Sequence, residues 1–352
     1  MTSIKAGRGK IPPYNLFFIL FVSRIVVALT YIQTVSVGRI ASDVLISIAV
    51  ASAGGLIAAM PAYFCIVKNK NPLDNKIISY SYSIYFIYYA AVNISRFSYF
   101  ASSRLNPESS ILFFVVIFVV AATYAAILGV EGIGRFSVIC GVIMFAAILA
   151  VIIFNIKNVR EINYFPFIKN TTRDIWMNIA MFITNSVEGS AFVCLSRYVN
   201  GKTAKPYFFA IGLSYAVIFV LIFMCIGVLG NAAVLQSYPI FTLFQMAKSG
   251  DYSRMDMIHT AFWITAVFLK CSVLIYCASS CTKKYSHKTK CLIAGGAVIL
   301  LSVLITLLLG TDMFKITKYI SCFGCLIFCF GIPLLGLIFK KKKKGDDVLE
   351  KF

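Results

Sequence analysis

Three residues carry the chemistry of this chain by where they fall. Arg24, Glu188 and Lys270 each lie near the middle of a long apolar stretch. A charge at the centre of a bilayer costs roughly 2.5–3.5 kcal/mol on insertion scales. A chain retains three only if they meet one another, a cavity or a ligand. Opposite charges at one depth can hold an ion, a zwitterion or each other. Glu188 is the only acid at a depth comparable with Arg24, so an Arg24–Glu188 pair is expected. Lys270 is expected to turn inward to an acid or a carbonyl and to compete for the same carboxylate. A fixed ammonium there replaces a sodium ion as internal counter-charge. The plainer reading of each residue is a structural pair with no further role.

The elements that must position them follow from composition. The chain has 352 residues, 60% of them hydrophobic, with mean hydropathy +0.87. That balance excludes a soluble globular domain. Apolar runs of about 20 residues cross the hydrocarbon core as helices, and the short alternating segments of a β-barrel are missing. The chain reads as an all-α polytopic membrane protein with ten spans, at 14–37, 43–67, 77–101, 110–129, 135–157, 174–199, 206–230, 255–280, 290–310 and 316–339. No interruption is long enough for a soluble domain, so residues 1–339 form one transmembrane domain. Residues 340–352 form a basic tail. The first run follows Lys5, Arg8 and Lys10 as a secretory signal would, but it is too long for one and reads as a retained helix.

The net charge of +20 does not point to nucleic acid. Basic residues cluster between apolar runs, and the larger share falls on the side that holds both ends, which is the positive-inside pattern. N-in, C-in topology is expected. The run Lys340–Lys344 would lie against anionic lipid headgroups. The eleven cysteines mostly sit inside apolar runs and act as small hydrophobes. Cys322, Cys325 and Cys329 share one helical face, but no His or acid accompanies them, so no metal site is expected. His259 and His287 are far apart in the chain. No cofactor motif, nucleophile elbow or phosphate loop points to an enzyme.

The sixth span reads Asn185-Ser186-Val187-Glu188-Gly189-Ser190 at its middle. Asn, Ser and Gly favour non-helical backbone, so this span is expected to break and line a polar cavity. Broken helices offer backbone dipoles and carbonyls to ions and small zwitterions. In the third span Tyr82, Tyr85 and Tyr89 share a face, which either packs or points hydroxyls into that cavity. Gly54-Gly55 and Gly295-Gly296 permit close helix approach, and Gly331 with Pro333 suggests a kink in the last span. Between spans seven and eight, residues 231–254 are punctuated by Pro and Gly and suggest a short helix lying at the membrane interface.

Several motifs in order carry a resemblance. Tyr238-Pro239-x-Phe241 is followed by Gly250-Asp251-Tyr252, then by Trp263 and Lys270 in the next span. Gly129-x-Glu131-x-x-Gly134-Arg135 lies between spans four and five. Together they resemble the B-subunit of spore germinant receptors, the endospore germination permeases of the amino acid–polyamine–organocation superfamily. The resemblance covers nearly the whole chain. It implies a LeuT-like five-plus-five inverted repeat, with halves at about 14–157 and 174–339 and a discontinuous sixth helix. It implies a small germinant, usually an amino acid, bound at mid-membrane near the unwound parts of helices one and six. It also implies an A-type membrane subunit and a C-type lipoprotein as partners, in the inner membrane of a spore. By matching position the resemblance carries over Glu131, Glu188, Trp263 and Lys270; together with the reading of the residues themselves, the expected ligand-binding or coupling residues are Arg24, Tyr85, Asn185, Ser186, Glu188, Gly189 and Lys270. Glu131, Arg135, Tyr238, Pro239, Gly250, Asp251 and Trp263 are family-motif residues. One departure stands out: the stretch Ile25–Thr30 has no glycine, so the usual break in the first helix has no residue to open it cheaply. Two other functions fit the same residues: a proton-coupled amino acid transporter using Glu188, and a structural subunit whose pocket has degenerated.

Overall fold

The computed structural model describes residues 9–35, 40–236, 238–247 and 255–338. Gly250, Asp251 and the tail with Lys340–Lys344 lie outside the described residues. The helices, in chain order, are α1 (Pro13–Val35), α2 (Asp43–Val67), α3 (Lys76–Phe100), α4 (Ile111–Leu128), α5 (Val130–Asn155), α6 (Thr172–Thr184), α7 (Glu188–Leu195), α8 (Ala204–Leu229), α9 (Pro239–Met246), α10 (Met255–Ser280), α11 (His287–Leu309), α12 (Met313–Cys325) and α13 (Ile332–Ile338). Among the described residues there is no β-strand, only an isolated bridge between Ile11 and Val199.

These helices make the ten expected spans. α6 with α7 is the sixth, and α12 with α13, joined by a π-helical stretch at Leu326–Gly331, is the tenth. Among the described residues, length and hydropathy alone mark seven stretches as able to cross a membrane, one of them the 52-residue run His287–Ile338. That run is two passes. Ser95 Oγ donates to the Ser302 carbonyl of α11 at 3.1 Å, and the next residue, Arg96, donates to Thr317 Oγ1 of α12 at 2.7 Å. Neighbouring residues of α3 meet both helices at one level only if the chain reverses between them. Gly310, at φ +48°, makes that reversal in the left-handed region where glycine carries no steric cost.

α3 is the post around which α10 and α12 are set. Its small hydroxyls bond to α10 in antiparallel order: Ser79 to the Cys281 carbonyl at 2.7 Å and Ser83 to the Ala278 carbonyl at 2.9 Å. Its tyrosines fill the seam with the last span, where Tyr85 stacks on Phe328 with centroids 4.4 Å apart. On the other side, α1 lies against α5, α8 and α10. It is continuous through Arg24, as the missing glycine would have it. The kink expected at Gly331 and Pro333 is the π-helical stretch itself.

The segment expected at the membrane interface differs. α9 is there, but Ile240, Phe241, Leu243 and Phe244 are buried, packed against α8 and α10. An eight-residue helix with so much apolar surface gains more from a protein groove than from the headgroup region. The glycine pairs also divide. A side chain at Gly295 would collide with Thr123 of α4, whereas one at Gly296 meets nothing within 4 Å. Gly295→Ile is therefore expected to wedge α11 from α4 and cost about 1–3 kcal/mol. Gly296→Ile should stay within roughly 0.5 kcal/mol of the parent. Thermal unfolding of the two variants in nanodiscs checks the contrast.

Candidate functional site

The site begins where the sixth span stops being a helix. Asn185, at φ −83° and ψ 60°, ends α6, and α7 restarts at Glu188. A helix end leaves carbonyls and N–H groups without intrahelical partners, and in hydrocarbon each needs another. Side chains from other spans supply them. The Phe182 carbonyl accepts from Arg24 Nη2 at 3.3 Å and from the Tyr215 hydroxyl at 3.0 Å. The Ser186 carbonyl accepts from the thiols of Cys325 at 2.8 Å and Cys329 at 3.2 Å. Asn185 takes the Tyr89 hydroxyl on its Oδ1 at 2.9 Å. The break is thus tied to α1, α3, α8 and the last span.

Glu188 opens α7, where the positive end of a helix dipole favours a carboxylate. It is 1% exposed, and both of its oxygens are engaged. Oε1 accepts from Ser23 Oγ at 2.9 Å and lies 3.4 Å from Lys270 Nζ. Oε2 accepts from Ser186 Oγ at 2.8 Å and lies 3.7 Å from Arg24 Nη1. The expected Arg24–Glu188 pair forms. Lys270 does not displace Arg24 but takes the other oxygen. Its ammonium also donates to the Ser23 carbonyl of α1 at 2.8 Å, and it lies 5.7 Å from the Tyr89 ring. Arg24 lies over the Tyr215 ring at 4.4 Å. Unit charges at about 4 Å attract by about 4 kcal/mol at an effective dielectric of 20. Taking each ion out of water costs several kcal/mol, so the carboxylate needs its hydroxyl donors as well as its two cations.

A cavity of about 290 Å³ adjoins this cluster. Arg24, Ser186 and Gly189 form its polar end. Gly54 and Gly55 of α2, Ile211 of α8 and Leu326 of the last span help form its walls. Gly189 is there for space, since a side chain would press on Cys329. The volume is at the low end for small-molecule sites, roughly 300–1,000 Å³.

Six of the seven residues expected to bind or couple gather here: Arg24, Asn185, Ser186, Glu188, Gly189 and Lys270. Tyr85 does not. It is stacked on Phe328 and its hydroxyl has no hydrogen-bond partner among the described residues. Tyr89, one turn further along the same face, reaches Asn185 instead. Sequence reasoning reaches Tyr89 only as one of three tyrosines on a face that packs or points into the cavity; Ser23, Tyr215, Cys325 and Cys329 are the contributors that it passed over. The one available signal was Ser23, which adjoins Arg24 in sequence. Cys325 and Cys329, read as apolar filler, cap a carbonyl.

The family-motif residues lie away from the cluster. Tyr238 and Trp263 meet around Phe100, whose ring centroid is 4.8 Å from that of Tyr238 and 4.0 Å from that of Trp263. Pro239 starts α9 beside them. Seven residues of helix, about 10 Å, separate Trp263 from Lys270. Glu131 and Arg135 pair on the first turns of α5 at an exposed end of the molecule. There the chain entering α1 presses against the motif: a side chain at Gly9 would meet Glu131, and one at Gly134 would meet Ile11 and Asn15. The motif is thus a seat for the N-terminal segment.

A ten-span helical bundle with a broken sixth helix and charges sealed at its centre has the LeuT-like fold. Residues 10–311 match the profile of the spore germination protein family, the spore permeases, and the chain belongs to that family. Two solved structures share the fold. One is a Na+-coupled sialic acid symporter in its substrate-bound, outward-open state, at TM-score 0.60 and 15% identity, covering 94% of this chain and 80% of that one. The other is a nucleobase-cation-symport-1 family transporter, closed with bromovinylhydantoin bound, at TM-score 0.56 and 12% identity, covering 96% of this chain and 95% of that one. No curated protein matches the chain.

Removing one partner of a buried ion pair leaves an uncompensated charge and typically costs about 3–5 kcal/mol. Glu188→Leu is expected to lose stability on that scale, because two buried cations remain. Adding Lys270→Met should recover a large part of the loss. Unfolding of the single and double variants in one lipid system measures the recovery, and strictly additive losses would contradict the pairing.

Proposed function

We infer that this chain is the membrane-embedded subunit of a spore germinant receptor. It senses a small nutrient in the cavity at Arg24 and passes the signal to an A-type membrane subunit and a C-type lipoprotein. Family membership supports a nutrient-sensing or transport role in a membrane. The observation that carries the receptor reading is the position of Lys270. Its ammonium lies between a main-chain carbonyl of α1 and the Glu188 carboxylate. A carbonyl and a carboxylate are the oxygen ligands that a coupling cation needs. Here a covalently attached charge holds them, so binding of a diffusing cation is not required to join α1, α7 and α10. A ligand shifts such a unit only through a difference in affinity between two states. The break between α6 and α7 is the element that can differ, since its carbonyls are held by side chains rather than by helix. Ser186 of that break lines the cavity itself, beside Gly189 and the two thiols.

The clustering of basic residues supports both ends on the inner face of the spore inner membrane. Membrane lipids and the nutrient are then the chain's remaining partners, and it needs no cofactor. The transporter reading differs in needing flux through this chain alone. Spores carrying Glu188→Gln at normal abundance are expected to lose their response to nutrients by at least tenfold while still germinating on a trigger that bypasses the receptor. The purified chain in proteoliposomes should show no proton-driven amino acid uptake. Uptake by the chain alone would establish the transporter instead, and an unchanged nutrient response in Glu188→Gln would remove that residue from the mechanism.

A further inference from the structure

The central cluster is not neutral. Arg24 and Lys270 contribute two positive charges and Glu188 one negative. Among the described residues no other carboxylate lies within 4 Å of either cation, and none lines the cavity. The surplus charge belongs to Arg24 rather than Lys270. Lys270 is fully buried and holds both the Ser23 carbonyl and the carboxylate. Arg24 is held loosely: its ion pair is 3.7 Å long, its hydrogen bond to the Phe182 carbonyl 3.3 Å, and its buried Nε–H has no acceptor. A buried guanidinium donor left unsatisfied is costly, and this one belongs to a residue that lines a cavity.

The remainder of the cavity is mostly apolar, and the hydroxyls of Thr184, Tyr207 and Tyr215 that also line it donate to main-chain carbonyls. Ile57, Ala58, Ile183, Ile211 and Leu326 line it. Gly189, in the first turn of α7, adds the positive end of a helix dipole at the polar end. An ammonium group finds no free carboxylate there, because both oxygens of Glu188 are taken. It also meets an excess of positive charge.

We propose that the cavity is a site for a small carboxylate with a short, branched apolar chain, and that an α-amino group contributes nothing to its binding. The carboxylate accepts from the guanidinium of Arg24, which lines the cavity and carries the cluster's surplus charge. The chain lies between α2 and α8. The inference rests on the reading of this cavity as the nutrient pocket and names the class of nutrient. Ile57 and Leu326 are exposed at the rim, so an acyl chain from the bilayer is the other source of the same chemistry, and the test separates the two.

The test uses the full chain in nanodiscs with three matched probes: 4-methylpentanoate, leucine, and isopentylamine, which is leucine without its carboxylate. 4-Methylpentanoate is expected to bind at least as tightly as leucine, and isopentylamine at least tenfold more weakly. Arg24→Gln should weaken 4-methylpentanoate at least tenfold. Ala58→Phe, which fills the cavity and leaves the charges alone, should abolish its binding, so the assignment does not depend on the folding of the arginine variant. Binding of leucine without 4-methylpentanoate shows that the α-amino group is required, which overturns the proposal and leaves the sensing role intact. Binding of palmitate with exclusion of 4-methylpentanoate gives the cavity to lipid and overturns the short-chain assignment. If none of the probes binds, the assignment also fails, and the nutrient response of Ala58→Phe spores then decides the sensing role: a lost response keeps it and a normal response ends it.

Discussion

One carboxylate holds three spans together. Glu188 can stay ionised in the middle of a membrane protein only because α1 supplies Arg24 and Ser23, α10 supplies Lys270, and the turn before α7 supplies Ser186. None of these helices is adjacent to another in the chain. Each charge alone would be expelled from the bilayer core or would draw water after it. Together they form a polar knot whose cost is offset only when all members are in place. The broken sixth span follows from the same constraint, because an uninterrupted helix there would not present Ser186 to the carboxylate and the Phe182 carbonyl to Arg24.

The knot also decides what the neighbouring cavity can do. Its walls are apolar and would accept many small molecules. The charge at its polar end is Arg24, whose Nε–H the knot leaves without an acceptor. The cavity and the break share Ser186 and Gly189, so an occupant at Arg24 necessarily touches the segment whose carbonyls are held by side chains. A link from ligand to conformation therefore needs no long pathway. It needs one unwound turn with two ways of satisfying its backbone.

How far the sequence reveals this depends on the scale of the signal. Spans are legible because twenty apolar residues in a row have few other uses, and the only helices that hydropathy undervalues are those such as α3, where tyrosine and serine do the packing. The three intramembrane charges are legible because their cost demands an explanation. The break is legible in Asn185, Ser186 and Gly189, and its absence in α1 in the stretch without glycine. What the sequence conceals is the set of neutral partners. Cys325, Cys329, Tyr89 and Tyr215 look like ordinary residues of apolar helices, and their hydrogen bonds to the break exist only through contacts between distant spans. Tyr85 and Tyr89 illustrate the limit: both lie on the correct face of α3, and one helical turn of depth decides which meets the site. The motif residues conceal their role differently. Their order identifies the family, yet Trp263 and Glu131 serve the docking of α9 and of the N-terminal segment, away from the charges.

The central claim is that Glu188 is an ionised carboxylate clamped between two cations. Infrared difference spectroscopy of the purified protein against Glu188→Gln tests it most directly. The account predicts that the substitution removes a carboxylate band and that no protonated-carboxyl band is lost with it at neutral pH. Loss of a protonated-carboxyl band instead would mean that Glu188 carries a proton, that the cluster is held by something other than the two ion pairs, and that the surplus charge at Arg24 has been misassigned.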